Sequence, residues 1–192
     1  LYEVELPLIE VLASMELYGV KADRNFIDDF GLQLKEKIQL IELKIYDLAG
    51  MQFNINSPIQ LGEVLFERLK LPSGKKTKRG YSTSADILEK IKDKNPIVPA
   101  ILEYRNLAKL NSTYVEGLKP LIAVDGRIHA HFQQTVTTTG RISCTEPNLQ
   151  NIPIRQELGR KLRSAFEAEE GYTLVGADYS QIELRRLAPH SQ

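Results

Sequence analysis

A carboxylate stands at residue 178, where a strand-like pattern gives way to a helix-like one. Residues 173–177 form a short β-branched and apolar run, which predicts a buried strand that ends at Asp178. Ser180 is then placed to cap a helix. A carboxylate held at the end of a strand offers the oxygen ligand that Mg²⁺ prefers, and the ion keeps positions for a phosphate substrate. An Asp in this place is also typical of a turn or a helix cap.

A second stretch that could do chemistry is basic and lies between residues 70 and 84. This stretch has no apolar periodicity, and no acidic residue interrupts its basic residues: Lys70, Lys75, Lys76, Lys78 and Arg79. Ser82, Thr83 and Ser84 come next, and Thr83 with Asp86 predicts a capping box at a helix start. Basic side chains beside hydroxyls suit contact with a DNA backbone of any sequence. A run of charges is also typical of a solvated loop.

A helix start and a group of amides add further candidates. Asn54 precedes Ser57 and Pro58, which predict a helix N-terminus whose free N–H groups suit a phosphate. Amide side chains occur in a later stretch punctuated by prolines: Asn148, Gln150 and Asn151. From residue types alone, these amides are expected to satisfy backbone groups of an extended loop.

Two stretches resemble family A DNA polymerases, the bacterial DNA polymerase I group. Residues 178–185, DYSQIELR, are similar to the first palm motif of that family. Residues 138–143, TTGRIS, and residues 146–155, EPNLQNIPIR, resemble the segment that precedes this motif, at a similar spacing. The resemblance extends through essentially the whole chain.

The resemblance implies template-directed transfer of a nucleotidyl group from a deoxynucleoside triphosphate (dNTP) to a primer 3′-hydroxyl, in DNA replication or repair. Two Mg²⁺ ions assist this reaction; Asp178 is implied to bind both, and the Tyr179 carbonyl one. Glu183 is implied to lie beneath the incoming sugar and exclude a 2′-hydroxyl, while Gln181 and Arg185 support the site. The implied catalytic residues are Asp178, Glu183 and Arg185, and the nucleotide-binding residues are Tyr179, Ser180, Gln181, Ile182 and Glu183. Residue types alone allow Glu183 and Arg185 to be a pair on a helix surface.

The resemblance also implies contacts with primer–template DNA. Arg141, Gln150 and Asn151 are implied to lie against the minor groove, where every correct pair offers acceptors. Lys109 is implied to lie where the family's thumb joins its palm and passes near the duplex. The residues expected to contact DNA are Asn54, Ser57, Lys75, Lys76, Lys78, Arg79, Ser82, Thr83, Ser84, Lys109, Arg141, Asn148, Gln150, Asn151 and Arg155.

The predicted fold class is α+β, with a long antiparallel helical arm followed by a partial antiparallel β palm. Apolar spacing predicts an entry helix within residues 1–22, ending before Gly19. Residues 23–118 form the predicted thumb-like arm, whose first helix begins after Asp23 and ends at Gly50. Residues 119–192 form the predicted incomplete palm, entered by a hairpin.

Composition sets bounds on function. The 192 residues carry 25 Lys plus Arg and 25 Asp plus Glu, so bulk charge does not predict a nucleic-acid partner and local patches must do so. The single cysteine, Cys144, excludes an intramolecular disulfide and fits a reducing cytoplasm; a filler role is the simplest interpretation. No apolar run reaches the roughly 18 residues that favour a membrane span. His129 and His131, at strand spacing, are interpreted as surface residues rather than a zinc site.

No stretch resembles the family's fingers helix, which binds triphosphate, or the later palm motif with the second metal carboxylate. The chain alone is therefore expected to be catalytically incomplete, with the fingers and C-terminal palm segment as partners beside primer–template DNA and dNTP. Residues 173–177 are then expected to expose an apolar edge. The alternative is a stand-alone duplex DNA-binding module without catalysis, and a structural interaction protein is a third possibility.

Overall fold

The structure is a computed structural model that describes residues 1–72, 80–154 and 157–187. The α-helices in these ranges are α1 (Glu5–Tyr18), α2 (Arg24–Ala49), α3 (Pro58–Gly62), α4 (Ala85–Lys90), α5 (Ile97–Lys109), α6 (Glu157–Arg163) and α7 (Ile182–Leu187). The strands are β1 (Val20–Lys21), β2 (Arg127–Ile128), β3 (His131–Gln133) and β4 (Ser143–Thr145). Wider π-helical turns continue α3 over Glu63–Arg68 and α5 over Leu110–Glu116, and 3₁₀ turns cover Lys119–Leu121 and Leu149–Asn151.

Helices α2 and α5 form the antiparallel arm that the sequence predicts. Asp23 begins α2, since its Oδ1 accepts a hydrogen bond from Phe26 N at 3.0 Å. Gly50 ends the helix in the left-handed conformation, with a φ of 66°. The 26 residues of α2 give it a length of about 40 Å.

Buried side chains form an outer and an inner core along the arm. The outer core joins the end of α2 to the start of α5: Ile45, Ala49, Leu61, Leu65, Leu88, Ile97 and Ile101. The inner core joins the start of α2 to the end of α5, and to β2 and α6: Ile27, Phe30, Leu34, Leu107, Val115, Ile128 and Leu162. The pairing of opposite ends shows that the two helices are antiparallel. Because α6 and β2 share the inner core, the chain that follows the arm packs against the root of the arm, where α2 begins and α5 ends.

The β structure consists of short antiparallel pairs. Strand β1 pairs with β2, with Val20 opposite Ile128. Strand β3 pairs with β4, with Phe132 opposite Cys144. The strand spacing of His129 and His131 falls where β2 and β3 are separated by residues 129–130. Cys144 is buried, as a filler residue should be. The helical arm and the small antiparallel sheets together confirm the predicted α+β fold class.

Helix α1 ends at Gly19 as predicted, but its apolar stripe is mostly exposed. Leu12 is 6% exposed, whereas Val4 and Val11 are 66% and 53% exposed. Its last turn meets the β2–β3 region, where Glu16 Oε1 accepts a hydrogen bond from Phe132 N at 2.5 Å. No helix in the described ranges is long and apolar enough to cross a membrane.

Candidate active site and nucleic-acid interface

Asp178 lies on exposed, irregular backbone rather than at the end of a strand. Residues 171–180 are all exposed, and no strand is formed between residues 173 and 179. The prediction of a buried strand over residues 173–177 is therefore wrong for this chain. A strand needs a neighbour for its backbone hydrogen bonds, and the described residues pair none with this segment.

The helix after Asp178 begins slightly later than the sequence predicts. Helix α7 starts at Ile182, and Arg185 N donates to the backbone oxygen of Gln181 at 3.1 Å. Ser180 therefore does not directly precede the helix, and its Oγ instead lies 3.5 Å from Arg185 Nη2 as an acceptor. This contact joins two of the predicted site residues. The side chain of Glu183 lies outside the described residues.

Asp178 and Tyr179 carry the oxygen atoms that could form part of a site for a hard cation. The Asp178 carboxylate and the Tyr179 backbone carbonyl are oxygen donors on adjacent, exposed residues. No group of three or more His, Cys, Asp or Glu in the described part of the chain is placed to hold a metal ion. One carboxylate fits Mg²⁺, which is often bound through one or two carboxylates with water and substrate phosphates completing its shell.

A groove runs between the root of the arm and the 3₁₀ loop. One part, about 400 Å³ in volume, is lined by Asn106, Lys109, Leu110, Tyr114, Asn151, Pro153 and Ile154. The adjoining part, about 460 Å³, is lined by Lys109, Thr113, Tyr114, Leu118, Pro147, Asn148 and Asn151. The structure therefore brings Lys109 together with Asn148 and Asn151, which lie about forty positions later in the sequence.

The amides of this loop hold its shape and remain exposed. Asn148 Oδ1 accepts from Gln150 N at 3.0 Å, and Gln150 Nε2 donates to the backbone oxygen of Ile142 at 3.0 Å. The expectation that amides satisfy loop backbone is confirmed for these two residues. Asn148, Gln150, Asn151 and Arg141 are all exposed, so they remain accessible from solvent.

The start of α3 follows the prediction, and its polar side chains bond locally. Ser57 Oγ accepts from Gln60 N at 3.4 Å. Asn54 Oδ1 accepts from Asn56 N at 3.0 Å, and Asn54 N donates to Gln60 Oε1 at 2.8 Å. These bonds explain the helix start without a phosphate.

The prediction that Thr83 forms a capping box is wrong in this structure, and Thr83 has little surface for the predicted DNA contact. Its side chain is buried, at 6% exposure. Arg105 Nη2 donates to Thr83 Oγ1 at 3.1 Å, and Arg105 Nη1 donates to the Thr83 backbone oxygen. Helix α4 instead follows Ser84, without a side-chain cap. Ser82 and Ser84 are exposed, as a surface role requires.

Arg105 is a residue that the sequence analysis missed. It lies on α5 and is half-buried, and this burial lowers the pKa of its guanidinium from the ordinary value. The residue type carries no signal of this role, because the partner is 22 positions away along the chain. Several further candidates lie outside the described residues: Lys75, Lys76, Lys78, Arg79 and Arg155.

The histidines predicted as surface residues both contact Glu16 of α1. His129 Nδ1 lies 2.7 Å from the Glu16 backbone oxygen, and His129 Nε2 lies 3.0 Å from Asp125 Oδ2. His131 Nδ1 lies 3.3 Å from Glu16 Oε2. Hydrogen bonds to the Glu16 backbone and to Asp125 raise the pKa of His129. The imidazoles therefore join α1 to the hairpin region.

Comparison with known proteins gives matches along the chain. The family described as DNA polymerase family A matches residues 24–192. DNA polymerase I of Lactococcus lactis subsp. cremoris is 54% identical over 188 residues, which are 98% of this chain and 21% of that protein. DNA polymerase I of Geobacillus stearothermophilus is 56% identical over 190 residues, 98% of this chain and 22% of that protein. The chain spans about a fifth of the length of these relatives.

A solved structure is similar to the fold as well. It is described as the POL domain of Pol1 from M. smegmatis in complex with DNA primer-template and dNTP. The TM-score is 0.87 at 44% sequence identity, and the match covers 97% of this chain and 33% of that chain. The similarity therefore includes the arm, the groove at its root and most of the remaining chain.

Proposed function

Because the chain belongs to DNA polymerase family A, we propose that it forms the thumb and the first part of the palm of an enzyme that copies DNA. The reaction is transfer of a nucleotidyl group from dNTP to a primer 3′-hydroxyl, directed by a template strand. The observation that carries the proposal is the similarity of 97% of the chain to a polymerase domain described with primer–template DNA and dNTP. Within it, residues 1–22 enter the domain, residues 23–118 form the thumb, and residues 119–192 belong to the palm.

Asp178 is the residue on which the proposed chemistry depends. Its carboxylate, with the Tyr179 backbone carbonyl beside it, would hold Mg²⁺ together with ligands from the rest of the enzyme. Bound Mg²⁺ supplies charge stabilisation for in-line displacement at a phosphate. Arg185 holds the turn before α7 through Ser180.

The first turn of α7 supplies the proposed contacts with the nucleotide. Gln181 and Ile182 lie where α7 begins, beside the residue that binds the metal. Glu183 is proposed to lie beneath the sugar of dNTP, where a carboxylate would exclude a 2′-hydroxyl. This arrangement selects deoxyribonucleotides.

The groove at the root of the arm is the proposed path of the primer–template duplex. In this cavity, Lys109 offers a cation for DNA phosphates. Asn148 and Asn151 offer amide groups for the hydrogen-bond acceptors of the DNA minor groove. Arg141 and Gln150 extend this exposed surface. All correct base pairs present hydrogen-bond acceptors in the minor groove, so such contacts test the geometry of a base pair without reading its sequence.

The remaining proposed DNA contacts belong to the arm. Ser82 and Ser84 follow the basic stretch in the sequence, are exposed, and would bring hydroxyls to the phosphate backbone. Asn54 and Ser57 lie at the start of α3, where their side chains already bond within the chain. The arm contacts are proposed to hold the duplex regardless of its sequence, since they reach phosphates and not bases.

Exposed apolar side chains beside Asp178 are proposed to pack against the rest of the polymerase. Leu174, Val175 and Leu184 are 66%, 85% and 61% exposed. Exposed apolar side chains near one another in the sequence are typical of a surface that another segment covers. The segments that carry the fingers and the second metal carboxylate would then hold the residues that lead to Asp178 in one conformation.

The proposal is tested by primer extension with Mg²⁺ and dNTP, using this chain with and without a fragment that carries the fingers and later palm. Extension only in the mixture, abolished by Asp178→Ala, supports the proposal. Extension by the chain alone would show that the assignment of catalytic groups is wrong.

A second candidate function is duplex DNA binding without catalysis. It is favoured by the exposed, irregular backbone around Asp178, which forms no closed site in the described residues. This candidate requires salt-dependent duplex binding by the chain alone that survives Asp178→Ala. Absence of extension in the mixture together with such binding would favour it.

A further inference from the structure

Tyr18, Arg127 and Glu169 join three segments that are distant in the sequence. The Arg127 guanidinium carbon lies 4.1 Å from the centroid of the Tyr18 ring. Its Nη1 donates to the backbone oxygens of Tyr18 and Gly19 at 3.2 and 3.3 Å. Its Nη2 donates to Oε1 of Glu169, whose Oε2 accepts from the Tyr18 hydroxyl at 3.3 Å. We call Tyr18, Arg127 and Glu169 the clasp.

The clasp is ionised and centres on a largely buried guanidinium, while Tyr18 and Glu169 are 58% and 45% exposed. The Arg127 side chain is 11% exposed. Its guanidinium lowers the pKa of the Glu169 carboxyl, and the carboxylate raises the pKa of Arg127. The hydrogen bond between Arg127 and Glu169 is therefore charge-assisted. The planar guanidinium contacts the Glu169 carboxylate, the Tyr18 ring and the backbone carbonyls of Tyr18 and Gly19 at the same time.

The clasp lies at the point where the chain leaves the folded body and continues toward Asp178. Before it, Glu167 N donates to the backbone oxygen of Lys21 at 3.2 Å, so the chain runs beside β1. After it, Tyr172 N donates to the backbone oxygen of Glu169 at 2.9 Å and closes a turn. Residues 173–180 are exposed and form no strand. In the described part of the chain, Glu169 is thus the last side chain before this segment that forms a hydrogen bond with the folded body.

We propose that Arg127 is a positioning residue for nucleotidyl transfer. By holding Glu169 against the end of α1, it sets the place and direction from which residues 170–178 deliver Asp178. This inference rests on the proposed function. Arg127 acts through Glu169 and the backbone, without touching the nucleotide, so its loss should affect turnover more than DNA affinity.

The first test is kinetic and uses the complete polymerase that carries this segment. Arg127→Ala should lower kcat for single-nucleotide incorporation roughly 10- to 100-fold, the size of effect that small misplacements produce. The Kd for primer–template should stay unchanged, because the groove is untouched. Arg127→Lys should restore only part of kcat, since an ammonium lacks the fork.

The matched control is Lys21→Ala. Lys21 forms a neighbouring ion pair with Glu167 at 3.9 Å, and both side chains are over 40% exposed. Its loss should leave kcat and Kd unchanged. An unchanged kcat in folded Arg127→Ala, or a loss confined to Kd, would overturn the proposal.

The second test is hydrogen exchange, which needs no catalysis. Deuterium uptake over residues 164–178 should rise in Arg127→Ala and in the milder Glu169→Gln, and should not rise in Lys21→Ala. Equal uptake in all variants would overturn the proposal even if Arg127→Ala folds poorly in the kinetic assay. If Asp178→Asn extends primers normally, the proposed function fails, while the exchange result still decides whether the clasp holds this segment.

Discussion

Tyr114, at the root of the arm, donates its hydroxyl hydrogen bond to the backbone oxygen of Asn151 in the 3₁₀ loop. Tyr114 is buried, at 6% exposure, and both residues line the groove that also contains Lys109. The bond connects the helical arm to the palm-like part. The shape of the groove therefore depends on contacts between segments 37 residues apart.

Removal of this hydroxyl should loosen the groove. Tyr114→Phe is expected to lower the free energy of unfolding by about 1 kcal/mol, the usual net value of one hydrogen bond. It should also weaken primer–template binding, because Asn151 loses a fixed position. Urea unfolding and fluorescence anisotropy measure the two effects. Tyr172→Phe, at a residue 73% exposed, is the control; identical behaviour of the two variants would contradict this prediction.

Loss of Arg105 should destabilise the outer part of the arm. Arg105→Ala leaves the buried Thr83 without its partner, which is expected to cost about 1–3 kcal/mol. Lys92→Ala is the control, since Lys92 pairs with Glu89 at 3.2 Å on the surface and both side chains are over half exposed. An exposed pair of this kind contributes under about 1 kcal/mol. Equal urea midpoints for the two variants would be evidence against the Arg105–Thr83 contact.

The stabilising effect of His129 should decrease as pH rises. Its folded-state pKa is raised above the ordinary value, first by the hydrogen bond to the Glu16 backbone and then by Asp125. The contribution is therefore complete below the ordinary pKa of about 6.5 and is lost as pH rises through the folded pKa. Glu16 and Asp125 have lowered pKa values, so they titrate at more acidic pH.

The measurement is the difference in free energy of unfolding between the unsubstituted chain and His129→Gln. It should shrink as pH rises above about 6.5 and through the raised folded-state pKa. Asp125→Asn removes the carboxylate charge that favours the protonated imidazole and should reduce the pH dependence. A difference that stays constant over this range would disprove the assignment.

Lys109 should contribute to DNA affinity through phosphate. Lys109→Ala is expected to weaken primer–template binding for all sequences alike and to reduce the slope of log K against log salt by about 1. Lys44→Ala, on an exposed part of α2, should leave the slope unchanged. A salt titration by anisotropy separates these cases, and equal slopes for both variants would remove Lys109 from the interface.

Local chemistry made much of the arm predictable. Asp23 and Ser57 begin helices and Gly50 ends one, because each role depends on a residue's own side chain or φ preference. The buried face of α2 was predictable for the same reason, since its buried residues Ile27 and Leu34 are separated by two helical turns.

Non-local partners explain what the sequence did not reveal. Residues 173–177 have strand propensity, but propensity alone forms no strand without a neighbour. Thr83 has the residue type of a helix cap, and only the approach of Arg105 from α5 shows that it is buried. The groove also escaped prediction, because Lys109 and Asn151 meet only once the arm is folded onto the loop.

Primer extension by the complete polymerase with Asp178→Asn tests the central claim most directly. The substitution keeps the size of the side chain and removes its charge, so Mg²⁺ loses an anionic oxygen ligand. The account predicts that extension is abolished while the Kd for primer–template is retained. Extension at the unsubstituted rate would contradict the assignment of Asp178 and, with it, the proposed catalytic role of this chain.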